Sequence, residues 1–324
     1  MWRVNVLENE RGLRYFPIAL FASVMGLAGT TFAVKQYELM YDLMPVISVV
    51  LFILTILIFV IIFSIFLYRV IKYPNDIKAE INHPVKMNFF GAISISLLMI
   101  GLIFYDVNET ISFITWALGA ILQLILTLFL LTGLMWKQSL KIEQFNPVWF
   151  IPIVGNIVVP LAGVYHVGLE INIFYFSLGI IFSIIYFTLF MNRMFFKGPL
   201  PDMLRPTVFI LLAPPAIGFM SYVKIFGQAS AFAFILYGLA FYLGLLFLYQ
   251  IKHYLQVPFF VSWWAMLFPT AAVTNATFLM YELTELIYLK WLIHLQIIGL
   301  IFLAIYLLTK TFGLYRNKKL CVKG

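Results

Sequence analysis

Apolar and polar positions along the chain alternate in long blocks: ten apolar stretches, each about as long as a bilayer is thick, separated by short polar turns. They cover approximately 14–33, 45–68, 86–105, 110–136, 147–166, 171–192, 205–223, 226–251, 258–281 and 287–309. A helix needs roughly 20 apolar residues to cross the hydrocarbon core. The pattern therefore predicts an all-α integral membrane protein with ten transmembrane helices joined as five helical hairpins. The domain would be 14–313, between a cytoplasmic N-terminal segment (1–13) and a basic cytoplasmic tail (314–324).

The prolines divide the ten stretches into two kinds. Ten of the fourteen (Pro17, Pro84, Pro147, Pro152, Pro160, Pro206, Pro214, Pro215, Pro258 and Pro269) fall in or at the start of the odd-numbered stretches. The even ones carry only Pro45, at the start of the second. Proline removes a backbone donor and crowds the preceding turn, so it kinks a helix. In lipid, a freed carbonyl is tolerated only where protein or water covers it. The alternation predicts five kinked inner helices around a central pore and five smooth outer helices.

Composition narrows the class. With 64% hydrophobic and 10% charged residues, a soluble fold would expose one large apolar surface. A net charge of +8 would suit a nucleic-acid binder, but topology accounts for it without such a partner. With both termini cytoplasmic, 18 of the 21 lysines and arginines fall on the inner side, leaving Lys35, Lys224 and Lys290 outside, which is the positive-inside bias. Arg11 and Arg14 precede an apolar run with no convincing cleavage site, so this run reads as the first permanent helix. The single cysteine, Cys321, excludes an internal disulfide, and no metal-ligand spacing or cofactor motif occurs. A compact bacterial inner-membrane protein is the expected setting.

The chemistry is defined mostly by what is missing. No Asp, Glu, Lys or Arg occurs at central membrane depth, whereas coupled pumps and carriers keep a titratable group there. There is no phosphate-binding loop, and no nucleophile–base–acid constellation, so an enzyme is not expected. His83, His166, His253 and His294 sit near span ends and read as interfacial or capping groups. The inner stretches offer neutral or small residues instead. Pro17, Asn88, Ser94, Gly155, Asn156, Pro160, Pro214, Thr270, Ala272 and Asn275 are the pore-lining candidates, although small residues in lipid by default mean close helix packing. Five inner helices starting in the cytoplasm point their partially positive ends inward. Together with Lys78, Lys86, Lys141 and Arg205 they predict a positive cytoplasmic mouth that favours anions. An outer side with seven carboxylates and three lysines tempers that field. Pro269 predicts a kink in the ninth helix, and the ring of Phe268 beside it is a candidate plug.

Three motifs add a resemblance. They are Ile77-Lys78-Ala79-Glu80 with His83-Pro84-Val85-Lys86-Met87-Asn88-Phe89-Phe90, then Asn146-Pro147 with Val154-Gly155-Asn156, then Trp263-Trp264-Ala265 with Phe268-Pro269. The chain resembles, over roughly 14–313, the tellurite-resistance/dicarboxylate transporter family, which includes TehA-type channels and plant slow anion channels. The resemblance implies a homotrimer with one pore per subunit, Phe268 with Pro269 as the gate, and a second constriction near Met99. It implies a selective channel for small monovalent anions such as chloride or nitrate. The alternative it leaves open is a secondary carrier or exporter of C4-dicarboxylate, sulfite or tellurite-related oxyanions.

Overall fold

The computed structural model describes residues 12–136 and 141–322, which are almost entirely helical. The first eleven residues of the expected N-terminal segment and the last two of the tail lie outside the described residues. Twelve α-helices follow in order: α1 Phe21–Met40, α2 Val46–Lys72, α3 Pro74–Asn82, α4 Gly91–Phe104, α5 Glu109–Trp136, α6 Ile151–Gly163, α7 Leu169–Phe196, α8 Ala213–Phe226, α9 Ala231–Tyr249, α10 Ile251–Leu255, α11 Leu267–Thr284 and α12 Ile287–Arg316. Among the described residues, eight helical units are long and apolar enough to span a membrane, and the unit Pro147–Gly163 is apolar but shorter.

Burial separates two classes along the chain. The units Ile18–Met40, Lys86–Phe104 and Asp202–Phe226 are 83%, 83% and 89% buried, whereas α2, α5, α7, α9 and α12 are 17–33% buried. Every residue of α6 is buried, and so is most of α11. The buried helices touch one another in a closed ring: α1 against α4, α4 against α6, α6 against α8, α8 against α11, and α11 back against α1. Each also packs against the long exposed helix that follows it in sequence. The exposed faces are studded with large apolar side chains such as Ile53, Leu118, Ile184, Leu245 and Phe302. That is the surface a lipid solvent requires and water does not tolerate.

Each ring helix begins as a 3₁₀-helix and only then becomes α. The 3₁₀ segments are Ile18–Leu20, Lys86–Phe90, Pro147–Phe150, Asp202–Leu212 and Val261–Met266. A 3₁₀ turn rises about 2.0 Å per residue against about 1.5 Å in an α-helix. The 14 residues of α4 alone reach about 21 Å, short of the ~30 Å core. The five 3₁₀ residues ahead of them add about 10 Å and complete the span. The prolines mark these junctions. Pro147, Pro152 and Pro214 occupy first or second helical positions, and Pro269 is the third residue of α11. There the missing N–H belongs to the unpaired first turn anyway. The break expected at Pro269 is thus a 3₁₀-to-α transition at Met266–Leu267 rather than a kink in a continuous α-helix.

Two buried charges hold the ends of the first hairpin. Arg69, 1% exposed in α2, pairs with Glu80 of α3 at 2.8 Å and donates from Nε to the Arg14 carbonyl. Glu38, at the end of α1, accepts from the backbone N–H groups of Ile47 and Ser48, the free donors at the start of α2. Near the two ends of the described chain, the Gly12 N–H donates to the Cys321 carbonyl at 3.1 Å.

Candidate permeation path

The ring encloses two small cavities in line. The first, on the side of the chain termini, is lined by Ala22 and Met25 of α1, Ile95 of α4, Ile151 and Val154 of α6, Ile210 and Ala213, and Trp264, Ala265, Phe268 and Pro269. The second, on the far side, is lined by Gly29 and Phe32, Met99 and Leu102, Leu161, Ile217, Met220 and Lys224, and Phe268, Ala272 and Asn275. All five ring helices contribute to both. Each has a volume of about 20 Å³, room for roughly one water. Phe268 is the residue common to both walls, so its ring stands between them.

The Phe268 position follows from the local fold. The 3₁₀ segment Val261–Met266 is anchored by Trp264, whose indole N–H donates to Thr311 Oγ1 on α12 at 2.8 Å. The next residues begin α11, which crosses α1 closely. A Cβ on Gly26 would lie 2.8 Å from Leu267, so only glycine permits this approach. One turn further on, a Cβ added at Gly29 would meet Ala271, the Phe268 ring and the Met99 methyl. Phe268 and Met99 therefore converge on the same bare stretch of α1.

The structure sorts the lining candidates. Phe268, Pro269, Met99, Ala272 and Asn275 line the two cavities. Asn275 spends its amide internally, donating to the Gly29 and Ala271 carbonyls while accepting from Gln36. Ser94, Gly155 and Asn156 face α5 instead. Ser94 donates to Gln123 Oε1 at 2.7 Å, Gln123 donates to the Pro152 carbonyl, and Asn156 donates to Thr127 Oγ1 at 2.9 Å. A Cβ on Gly155 would run into the Gln123 amide. Asn88 bonds back to the Pro84 carbonyl and Thr270 to the Met266 carbonyl. Pro214 lines a groove between α7 and α9. Pro17 is half-buried just before Ile18–Leu20, and Pro160 is buried inside α6; neither reaches the two cavities.

Two features escaped sequence reasoning. The cavity walls are mostly apolar, built largely from residues such as Ala22, Met25, Ile95, Leu161 and Ile217, with Asn275 and Lys224 the polar side chains on the second wall. In addition, Gln123 and Thr127, both fully buried, tie α4, α5 and α6 together. A glutamine in the middle of an otherwise apolar span was the signal for this, since polar groups at that depth are costly and seek partners.

Of the residues expected at the cytoplasmic mouth, Lys78, Lys86 and Lys141 are exposed, and Arg205 pairs with Asp202 at 2.9 Å. Lys197 bonds to Glu143 and holds its carboxyl below the usual carboxylate range. His83 Nδ1 accepts from the backbone N–H groups of Val85 and Lys86 at 3.1 and 3.2 Å, so it caps the turn into α4. Burial, then the Lys86 charge, keep its pKa below 6.5 against the opposing pull of Glu80.

A closed ring of buried helices inside a lipid-facing shell, with an apolar axis interrupted by one aromatic ring, defines a membrane transport protein of the channel or carrier class. The family model described as voltage-dependent anion channel matches residues 15–312, and the chain belongs to that family. Similar proteins include an uncharacterized transporter of Methanocaldococcus jannaschii, 28% identical over 84% of this chain and 86% of that one. The S-type anion channel SLAH2 of Arabidopsis thaliana is 26% identical over 81% of this chain and 52% of its own length. A tellurite resistance protein TehA homolog of Haemophilus influenzae is 25% identical over 81% of this chain's counterpart and 82% of this chain. Anion transport across a membrane is the general activity of the family.

Proposed function

We propose that this protein is a passive channel for small monovalent anions, with ten spanning helices, both termini cytoplasmic, and Phe268 as the gate. The observation that carries the reading is Phe268 itself: it lies on the wall of both axial cavities, and all five ring helices line each of them. A path this narrow and apolar strips water from an ion, and an apolar constriction resists wetting. Weakly hydrated anions such as nitrate should pass more easily than strongly hydrated ones. The ring of positive helix starts, with Lys78, Lys86 and Lys141 at the mouth, disfavours cations. Among the described residues, the cavity walls carry one titratable side chain, Lys224 at the far end; with none between the cavities to couple transport to protons, a channel is favoured over a carrier. One pore per subunit, in a homotrimer, suits a path closed within a single ring.

The test is anion entry into liposomes that contain purified protein and an anion-quenched dye. Wild type should admit nitrate and chloride without a proton gradient, and Phe268→Ala should admit them faster. Uptake of malate or sulfite that saturates and depends on a proton gradient, with no chloride entry, would replace this reading with the carrier.

A further inference from the structure

We propose that Lys224 is the anion-attracting residue at the far mouth of the path, and that Tyr165 holds it there. This deepens the anion-channel reading and rests on it. The two axial cavities have one charged side chain between them, and it is Lys224. The remaining polar side chain of the far cavity is Asn275, whose amide is consumed by its own helix, by α1 and by Gln36. An ion leaving its water at this end therefore has one side chain to turn to.

The three lysines on this face are not equivalent. Lys35 is neutralised by an ion pair with Asp106. Lys290 lies over the Tyr41 ring, on α12 and away from the axis. Lys224 has no ion pair among the described residues; its ammonium contacts the Tyr165 hydroxyl at 2.7 Å and lies 4.7 Å from the centre of that ring. Glu282 interacts with it electrostatically but not as an ion pair. A neutral hydroxyl positions an ammonium without cancelling its charge, which is the difference between holding a lysine and silencing it. Tyr165 is itself fixed, stacked on Tyr105 with ring centres 4.1 Å apart. The trio comes from the ends of α8, α6 and α4, three neighbours in the ring.

The chemistry fits a small anion. A single positive charge beside a cavity with room for one water draws in anions and repels cations, and it replaces part of the hydration lost on entering. An attractive charge at one mouth raises the local anion concentration there and speeds passage from that side. The effect is screened at high salt, where the Debye length shrinks to about 3 Å at 1 M.

Single-channel or vesicle-patch currents of Phe268→Ala and of Phe268→Ala with Lys224→Gln test this, because the open background isolates the mouth from the gate. At low ionic strength the lysine-free channel should carry about threefold less anion current entering from the far side. The two should converge near 1 M salt, and Lys224→Arg should restore the current. Tyr165→Phe should lower it partially, since the ammonium loses its anchor but not its charge. Equal currents with and without Lys224 at low salt, in protein that conducts anions, would overturn the proposal while leaving the channel reading intact. Absence of anion current in the Phe268→Ala parent would instead overturn the channel reading.

Discussion

Phe268 stands between two spaces too small for a hydrated ion, on a helix seated directly against the glycines of α1. With mostly apolar walls on either side, its removal merges the two cavities without leaving an unpaired polar group behind. Phe268→Ala should therefore raise anion flux severalfold at unchanged expression, and Phe268→Leu should lie between it and wild type, as read by dye quenching in liposomes. Gly155 makes the opposite kind of prediction. It has no part in the axis, and a methyl group there collides with Gln123, the residue that joins Ser94, Pro152 and Thr127. Gly155→Ala should cost about 1–3 kcal/mol, as overpacking does, and lower the melting temperature in detergent without changing ion preference. Sequence alone made Ser94, Gly155 and Asn156 lining candidates because they are small or polar in inner spans, with close helix packing as the default reading. In the structure these three residues meet Gln123 and Thr127 of α5, as expected where a polar side chain in lipid is satisfied by a neighbouring helix.

At the scale of elements, α3 and the starts of the ring helices are the informative pieces. Arg69 is almost fully buried and its charge is met by Glu80 and the Arg14 carbonyl. Removing one partner leaves the other unpaired, which costs about 3–5 kcal/mol in a buried pair. Glu80→Ala should lower the melting temperature markedly, and the Arg69→Met, Glu80→Ala double variant should fall by less than the two single changes together. Full additivity would mean that the pair does not act as a unit. His83 gives this end of the protein a pH dependence. Its Nδ1 must be unprotonated to accept from Val85 and Lys86, and its folded pKa lies below 6.5. The unfolded form thus takes up the proton first on acidification. The stability that the cap contributes is present in full above 6.5 and is lost as pH falls through the lower folded pKa. Amide exchange at Val85 and Lys86 should quicken over that range, relative to intrinsic rates, and His83→Ala should abolish the pH dependence. Pattern and proline count anticipated which helices are buried, because both report on lipid exposure. The 3₁₀ starts were not legible, because proline at the beginning of a segment is equally compatible with either helix.

At the scale of the whole molecule, alternation is the organising fact. Burial of the ring units, exposure of α2, α5, α7, α9 and α12, and closure of the ring from α11 back to α1 follow from helices that differ in proline content. The order of helices around the ring was not legible in hydropathy, which carries no information on which buried helices touch. Gly26 and Gly29 encode part of it by letting α1 and α11 meet. Sequence singled out Phe268 through a motif and Pro269 through backbone chemistry, and the structure places Phe268 on both cavity walls and Pro269 on one. The site was not legible at Lys224, which reads from sequence as one of three similar outer lysines until the cavity shows which of them faces the axis.

The central claim, that anions pass and cations do not, is tested most directly by the reversal potential of Phe268→Ala in planar bilayers under a tenfold potassium chloride gradient. The account predicts a potential close to the chloride equilibrium value, shifting toward the nitrate value when nitrate replaces chloride on one side. A potential at the potassium limit would contradict it.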